Sequence, residues 1–190
     1  MQETSMLCNT HSRIKYARLL ILALCLSLSA QLSFAHPQLP GARLQGEATL
    51  HYFGFRVYHA SLWTLPDFQS DELNKQKLVL ELEYMRDFKG SAIAQRSLKE
   101  MQRAANLSES QQQSWLSEMQ RIFPDVKAGD RISGQLIPGQ GVNFWHNGHP
   151  IGRIENPAFA DFFFGIWLAP TTSEPEMRLA LLGQANSGSR

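Results

Sequence analysis

Cysteine is nearly absent from this chain: Cys8 and Cys25 are the only two, and both precede Ala35. If the first 35 residues are removed, as argued below, no thiol remains. Disulfides, thiolate metal sites and a cysteine nucleophile are then excluded. Charge is also sparse. Charged residues make up 18% of the 190 residues against 43% hydrophobic, and the formal net charge is +1. Such a composition excludes a disordered, highly charged chain and nucleic-acid binding by bulk electrostatics. There is no Gly-x-Ser-x-Gly elbow for a serine nucleophile. Gly139-Gln140-Gly141 is not followed by a helix pattern, so it reads as a turn and not a phosphate loop. No internal repeat or low-complexity tract appears.

What is present begins with a targeting pattern. Arg13, Lys15 and Arg18 precede an apolar run, Leu19 to Ala30. At about 12 residues the run is well short of the ~20 that a membrane-spanning helix needs. Ser33-Phe34-Ala35 supplies small residues at a signal-peptidase site, so residues 1–35 are expected to be a signal peptide. Residues 36–183 then form the folded domain and 184–190 a flexible tail. The expected location is periplasmic or secreted, with no membrane span after cleavage. The cleaved chain keeps 15 basic and 16 acidic residues, a net charge of −1, and is long enough to bury its own core.

The elements follow from periodicity. Glu47 to Trp63 is rich in aromatic and β-branched residues and reads as two strands or one bent strand, with Gly54 marking a bulge or a bend. Leu78, Leu80, Leu82 and Tyr84 alternate with Lys77, Glu81 and Glu83, the pattern of a half-solvated strand. Ala94, Leu98, Met101 and Ala105 switch to helical spacing over residues 91–105. Ser108-Glu109-Ser110-Gln111 is a capping box opening a second helix, which Pro124 stops. Arg131 to Ile137 reads as a strand. Val142 to His146 and His149 to Ile154 form a hairpin about Asn147-Gly148. Asn156-Pro157 opens a nearly all-apolar helix through Leu168, and Glu174 to Leu182 a short last one. The order predicts an α+β fold, an antiparallel sheet covered on one face by helices.

Candidate chemistry is limited. Of five histidines after Ala35, an N-terminal His36 has the amine and ring of a copper chelator, and His146 and His149 flank a tight turn. No helical ligand spacing accompanies them, so neither a metal nor a cofactor is expected. Glu81 and Glu83 read as solvent-facing. The remaining candidates are cations beside aromatics on inner strand faces: Arg56, between Phe55 and Val57, and Arg86, two residues beyond Tyr84. With Tyr58 and Tyr84 they would bind a carboxylate or enolate oxygen.

Six segments in series resemble the bacterial chalcone isomerase-like family. They are Gly54-Phe55-Arg56-Val57-Tyr58-His59-Ala60-Ser61-Leu62-Trp63; Leu80 to Asp87; Ile93-Ala94-Gln95-Arg96-Ser97 with Glu100-Met101; Phe123-Pro124-Asp125-Val126 with Gly129-Asp130; Phe159 to Leu168; and Leu181-Leu182-Gly183. The resemblance runs over residues 41 to 183. It implies a sheet covered by helices, an open-faced sandwich, with a ligand cleft between the layers. Plant members close a chalcone to a flavanone, using an Arg and a Thr to polarise the ketone and a Tyr with water to assist. Other members bind fatty acids or assist other proteins.

Carried over, the enzyme's Thr place falls on Phe53, which has no hydrogen to donate to a ketone oxygen. The Arg place falls on Arg43 when aligned from Gly41-Ala42, or between Thr49 and His51, where no Arg stands, when aligned from Gly46. The resemblance thus implies a non-catalytic member binding a small apolar or carboxylate-bearing ligand such as a fatty acid, and Arg43 joins Arg56, Tyr58, Tyr84 and Arg86 as a candidate ligand-binding residue. The alternatives are an intramolecular lyase acting on chalcone-like compounds and an accessory protein of the cell envelope.

Overall fold

The computed structural model describes residues 36–104 and 106–185. The signal segment expected before His36 lies outside the described residues, as do residues 186–190 of the expected tail. Gln184, placed in that tail by sequence, is held at its start: its backbone N–H donates to the Leu179 carbonyl at 2.8 Å and its side chain to Ser70 Oγ at 3.1 Å.

Among the described residues six antiparallel strands run in sequence order across one sheet: β1 (Arg43–Tyr52), β2 (Phe55–Thr64), β3 (Leu78–Tyr84), β4 (Arg131–Ile137), β5 (Gly141–His146) and β6 (His149–Ile154). The aromatic stretch is two strands. Gly54 lies in the turn between them, at φ +79°. The second hairpin turns at Asn147-Gly148 as its sequence predicts, with φ +50° and +80°.

Among the described residues four α-helices follow the sequence pattern closely: α1 (Gly90–Ala104), α2 (Glu109–Ile122), α3 (Pro157–Leu168) and α4 (Pro175–Leu181). Ser108 Oγ accepts from Gln111 N and the Gln111 side chain accepts from Ser108 N, the reciprocal capping box. Asn156 caps α3 by accepting from Phe159 N at 2.9 Å, with Pro157 at the first helical position. At the start of α1, Asp125 Oδ1 accepts from Gly90 N at 3.0 Å, placing a carboxylate at the positive end of the helix dipole. Among the described residues no helix is long and apolar enough to cross a membrane.

Leu78, Leu80, Leu82 and Tyr84 point toward the helices and are buried, as the alternation requires. Opposite them α3 contributes Phe159, Phe163, Phe164 and Trp167. Phe163 stands edge-on to Phe144 at 5.3 Å between centroids and stacks on Phe159 at 5.4 Å. Such pairs add stabilisation beyond the apolar area they bury. α4 packs on β1, α2 on β6 and α3 on β5, while α1 lies against α2 and α3.

The other face of the sheet is less solvated than the alternation suggests. Residues His36 to Ala42 cross it as a strap. Leu39 and Ala42 pack on Val79, which is fully buried, with Trp63 beside them. Gln135 Nε2 ties the strap down by donating to the Gln38 carbonyl at 2.6 Å. His36 is buried here, its ring 5.3 Å from Trp63 and its Nε2 3.5 Å from Glu81 Oε2. Glu81 is therefore not a solvent-facing strand residue: it also accepts from Ser133 Oγ at 3.0 Å. Burial raises its pKa, but the hydrogen bonds from His36 and Ser133, together with electrostatic attraction from His36 and Arg131, outweigh burial and hold the carboxyl below its ordinary value. Glu83 instead pairs with Arg131 at 2.6 Å.

Candidate functional site

Between the β1–β4 end of the sheet and helices α1 and α3, the two layers do not close. They leave a cleft of about 530 Å³, within the ~300–1,000 Å³ typical of small-molecule sites. Its floor is Tyr58, Leu82, Tyr84 and Ile132 from the sheet. One wall is Ile93, Arg96 and Glu100 of α1; the other is Phe163, Ile166 and Trp167 of α3. The tip of the β1–β2 hairpin stands at its edge.

A bulge in β2 decides which side chains reach this space. Leu50 pairs with Tyr58 but His51 pairs with Arg56, so Val57 is an extra residue with no partner on β1. A bulge turns two successive side chains toward the same side and reverses the facing of the strand beyond it. Phe55, Val57 and Tyr58 accordingly line the cleft and Arg56 does not; it is exposed. The expectation that Arg56 shares an inner face with the aromatics fails for this reason. Arg43 also lies outside the cleft. It opens β1 at the end far from the hairpin tip, and its guanidinium donates to the Pro66 carbonyl at 2.8 Å. Tyr58, Tyr84 and Arg86 do line the cleft, but β3 ends at Tyr84, so Arg86 reaches it from the bend beyond the strand and is exposed, and does not extend the strand's buried inner face as expected.

Tyr84 is 5% exposed. Burial, with the Tyr58 phenol nearby, raises its pKa far above the ordinary tyrosine value, and no hydrogen bond from the described residues reaches its hydroxyl. Arg86 lies over the Phe55 ring at 5.0 Å. Among the described residues no carboxylate is within ion-pair distance of it. Asp87, the neighbouring acid, instead accepts from Ala128 N at 3.0 Å. Tyr58 is satisfied: its oxygen accepts from Trp167 Nε1 at 2.9 Å. Burial pushes its phenol up to about 12, against the opposing pull of that bond.

Sequence reasoning missed Arg96, Glu100 and Trp167. Glu100, with its side chain 9% exposed, holds Arg96 at 2.8 Å and Arg103 at 3.5 Å, and accepts from Ser173 Oγ at 2.9 Å. The charge of Arg96 is thereby compensated, in contrast to Arg86. The signal was present in the helical period: Ile93, Arg96, Ser97 and Glu100 fall at i, i+3, i+4 and i+7, a second stripe beside the core stripe.

An antiparallel meander with helices over one face, parted by an apolar cleft with a few convergent polar groups, is the open-faced sandwich of chalcone isomerase-like proteins. The model of the chalcone isomerase-like family matches residues 28–183, and the chain belongs to that family. An uncharacterised protein of Haemophilus influenzae is 30% identical over 142 residues, covering 75% of this chain and 68% of that one. Among solved structures, the Arabidopsis thaliana fatty-acid binding protein AtFAP1 superimposes with a TM-score of 0.54, over 80% of this chain and 98% of the other, at 12% identity. Identity that low establishes a shared fold and nothing finer.

Proposed function

We propose that this protein is an exported, non-catalytic binder of a small amphipathic ligand with one anionic end, such as a fatty acid, working in the periplasm or outside the cell. One observation carries the reading. An apolar cleft has in its lining a buried phenol, Tyr84, without a hydrogen-bond partner among the described residues, and at its edge an exposed guanidinium, Arg86, without a carboxylate partner. A carboxylate at the cleft edge gains charge-assisted hydrogen bonds from that guanidinium. The apolar lining then holds the hydrocarbon by area burial. The fatty-acid binding activity of the Arabidopsis structural relative is consistent with this choice of ligand.

The non-catalytic part of the reading rests on Phe53. The position that aligns with the ketone-polarising Thr carries a hydrocarbon ring at an exposed hairpin tip. A carbonyl oxygen in the cleft receives no hydroxyl from that residue.

Native mass spectrometry of protein purified from its own envelope fraction tests the proposal. It should show a bound species that is lost on organic extraction and has the mass of a fatty acid. No bound lipid, together with no rise in melting temperature on adding fatty acid, would contradict it. Cyclisation of a chalcone followed by absorbance should show no rate above the uncatalysed one.

A further inference from the structure

The tip of the β1–β2 hairpin exposes three rings. Phe53 is 85% accessible, Phe55 60% and Tyr52 55%. No other part of the described surface places large apolar side chains so close together in sequence. The backbone makes the choice more pointed. Phe53 and Gly54 have φ +48° and +79°, nearly the values of Asn147 and Gly148 in the other hairpin, +50° and +80°. That second hairpin uses the Asn-Gly pair that this left-handed turn favours. The first puts a phenylalanine, a strained choice at positive φ, where neither burial nor turn chemistry rewards it.

Cations surround the rings. Arg56 is exposed at the base of the tip and Arg86 lies on Phe55. Neither has an ion-pair partner among the described residues. The nearby acids are occupied: Glu100 by Arg96 and Arg103, Asp87 by the Ala128 amide. Glu174 faces into the cleft.

We propose that this tip docks the protein on an anionic bilayer surface. Aromatic rings flanked by arginines suit the headgroup boundary, where rings enter the acyl edge and guanidinium groups stay with phosphates. A second protein chain is the poorer occupant. A convex tip of four residues cannot supply the roughly 800 Å² per partner that a stable interface needs. Docking also brings the mouth of the cleft to the membrane, where an amphipathic ligand resides. The docking rests on the surface of the tip and not on the identity of what the cleft holds.

The test is co-sedimentation of the protein with sonicated vesicles of phosphatidylglycerol and phosphatidylethanolamine, beside vesicles of phosphatidylcholine alone. Binding is expected on the anionic vesicles and should weaken as salt rises. Phe53→Asn should lower partitioning by about tenfold or more, the scale of one phenylalanine's burial. Its melting temperature should equal or exceed the parent's, because it restores the Asn-Gly turn. Arg56→Gln should lose about fivefold on anionic vesicles and nothing on neutral ones. The proposal is overturned if the parent does not bind anionic vesicles at low salt, or if folded Phe53→Asn binds like the parent. It is equally overturned if the parent is a dimer without vesicle affinity and Phe53→Asn a monomer, which would make the tip a contact between copies. Fatty-acid titration in vesicle-free buffer reports on the cleft separately, so either reading can fail while the other stands.

Discussion

Trp167 Nε1 donates to Tyr58 Oη at 2.9 Å, joining the last turns of α3 to the middle of β2 beside the cleft. The bond satisfies the polar ends of two side chains whose bodies line apolar space. It also fixes the separation of the two layers at the point where they part.

Tyr58→Phe should therefore destabilise the fold by about 1–3 kcal/mol, because it leaves a buried indole N–H without an acceptor. Urea unfolding followed by tryptophan fluorescence checks this. The midpoint should fall with an unchanged slope. No change in midpoint would mean that water replaces the phenol and that the layers are held by apolar packing alone.

Alkaline pH should reveal the two cleft tyrosines. Burial raises the folded pKa of Tyr58 from 10.0 to about 12, and that of Tyr84 also upward. The native state then keeps protons that the unfolded state releases above pH 10, so stability is full below pH 10 and falls as pH rises from there. Chemical denaturation at pH 9, 10 and 11 should show that decline, and Tyr84→Phe should flatten it.

The acid side has the opposite sign. Glu81 is held below its ordinary value of 4.5 in the folded state. Its contribution is present above pH 4.5 and is lost as pH falls through the folded value, because the unfolded chain takes up the proton first. Glu81→Gln should show a shallower acid-side decline in melting temperature than the parent. An identical decline would place the acid sensitivity elsewhere.

Gly46 is a packing test. A Cβ at this position would collide with the backbone carbonyls of Ala180 and Leu181, where α4 rests on β1. Backbone cannot move aside as a flexible side chain can. Gly46→Ala should cost about 1–3 kcal/mol, as overpacking does, measurable as a drop in thermal midpoint.

Much of the fold is legible in the sequence because its elements are locally consistent. The alternation from Leu78 to Tyr84, the i, i+4 spacing of Ala94 and Leu98, the Ser108 capping box and Asn147-Gly148 each specify one local structure, and the packing uses all of them. The site was legible where a residue's facing follows from unbroken alternation, as for Tyr84. It was misread at Arg56 because one unpaired residue, Val57, reverses the strand beyond it, and nothing in the composition of β2 announces a bulge there. The strap from His36 to Ala42 has no period to read; only the tertiary partner Val79 explains it. Arg43 was placed by alignment, and three-dimensional distance removes it from the cleft.

In the proposed function, Arg86 and Tyr84 receive the anionic end of an apolar ligand. Calorimetric titration of dodecanoic acid and of dodecanol into the parent and into Arg86→Ala tests it most directly. Arg86→Ala should weaken binding of the acid by about 1.5–3 kcal/mol, the range for hydrogen bonds to charged groups, and leave binding of the alcohol nearly unchanged. Equal losses for acid and alcohol, or no binding of the acid by the parent, would contradict it.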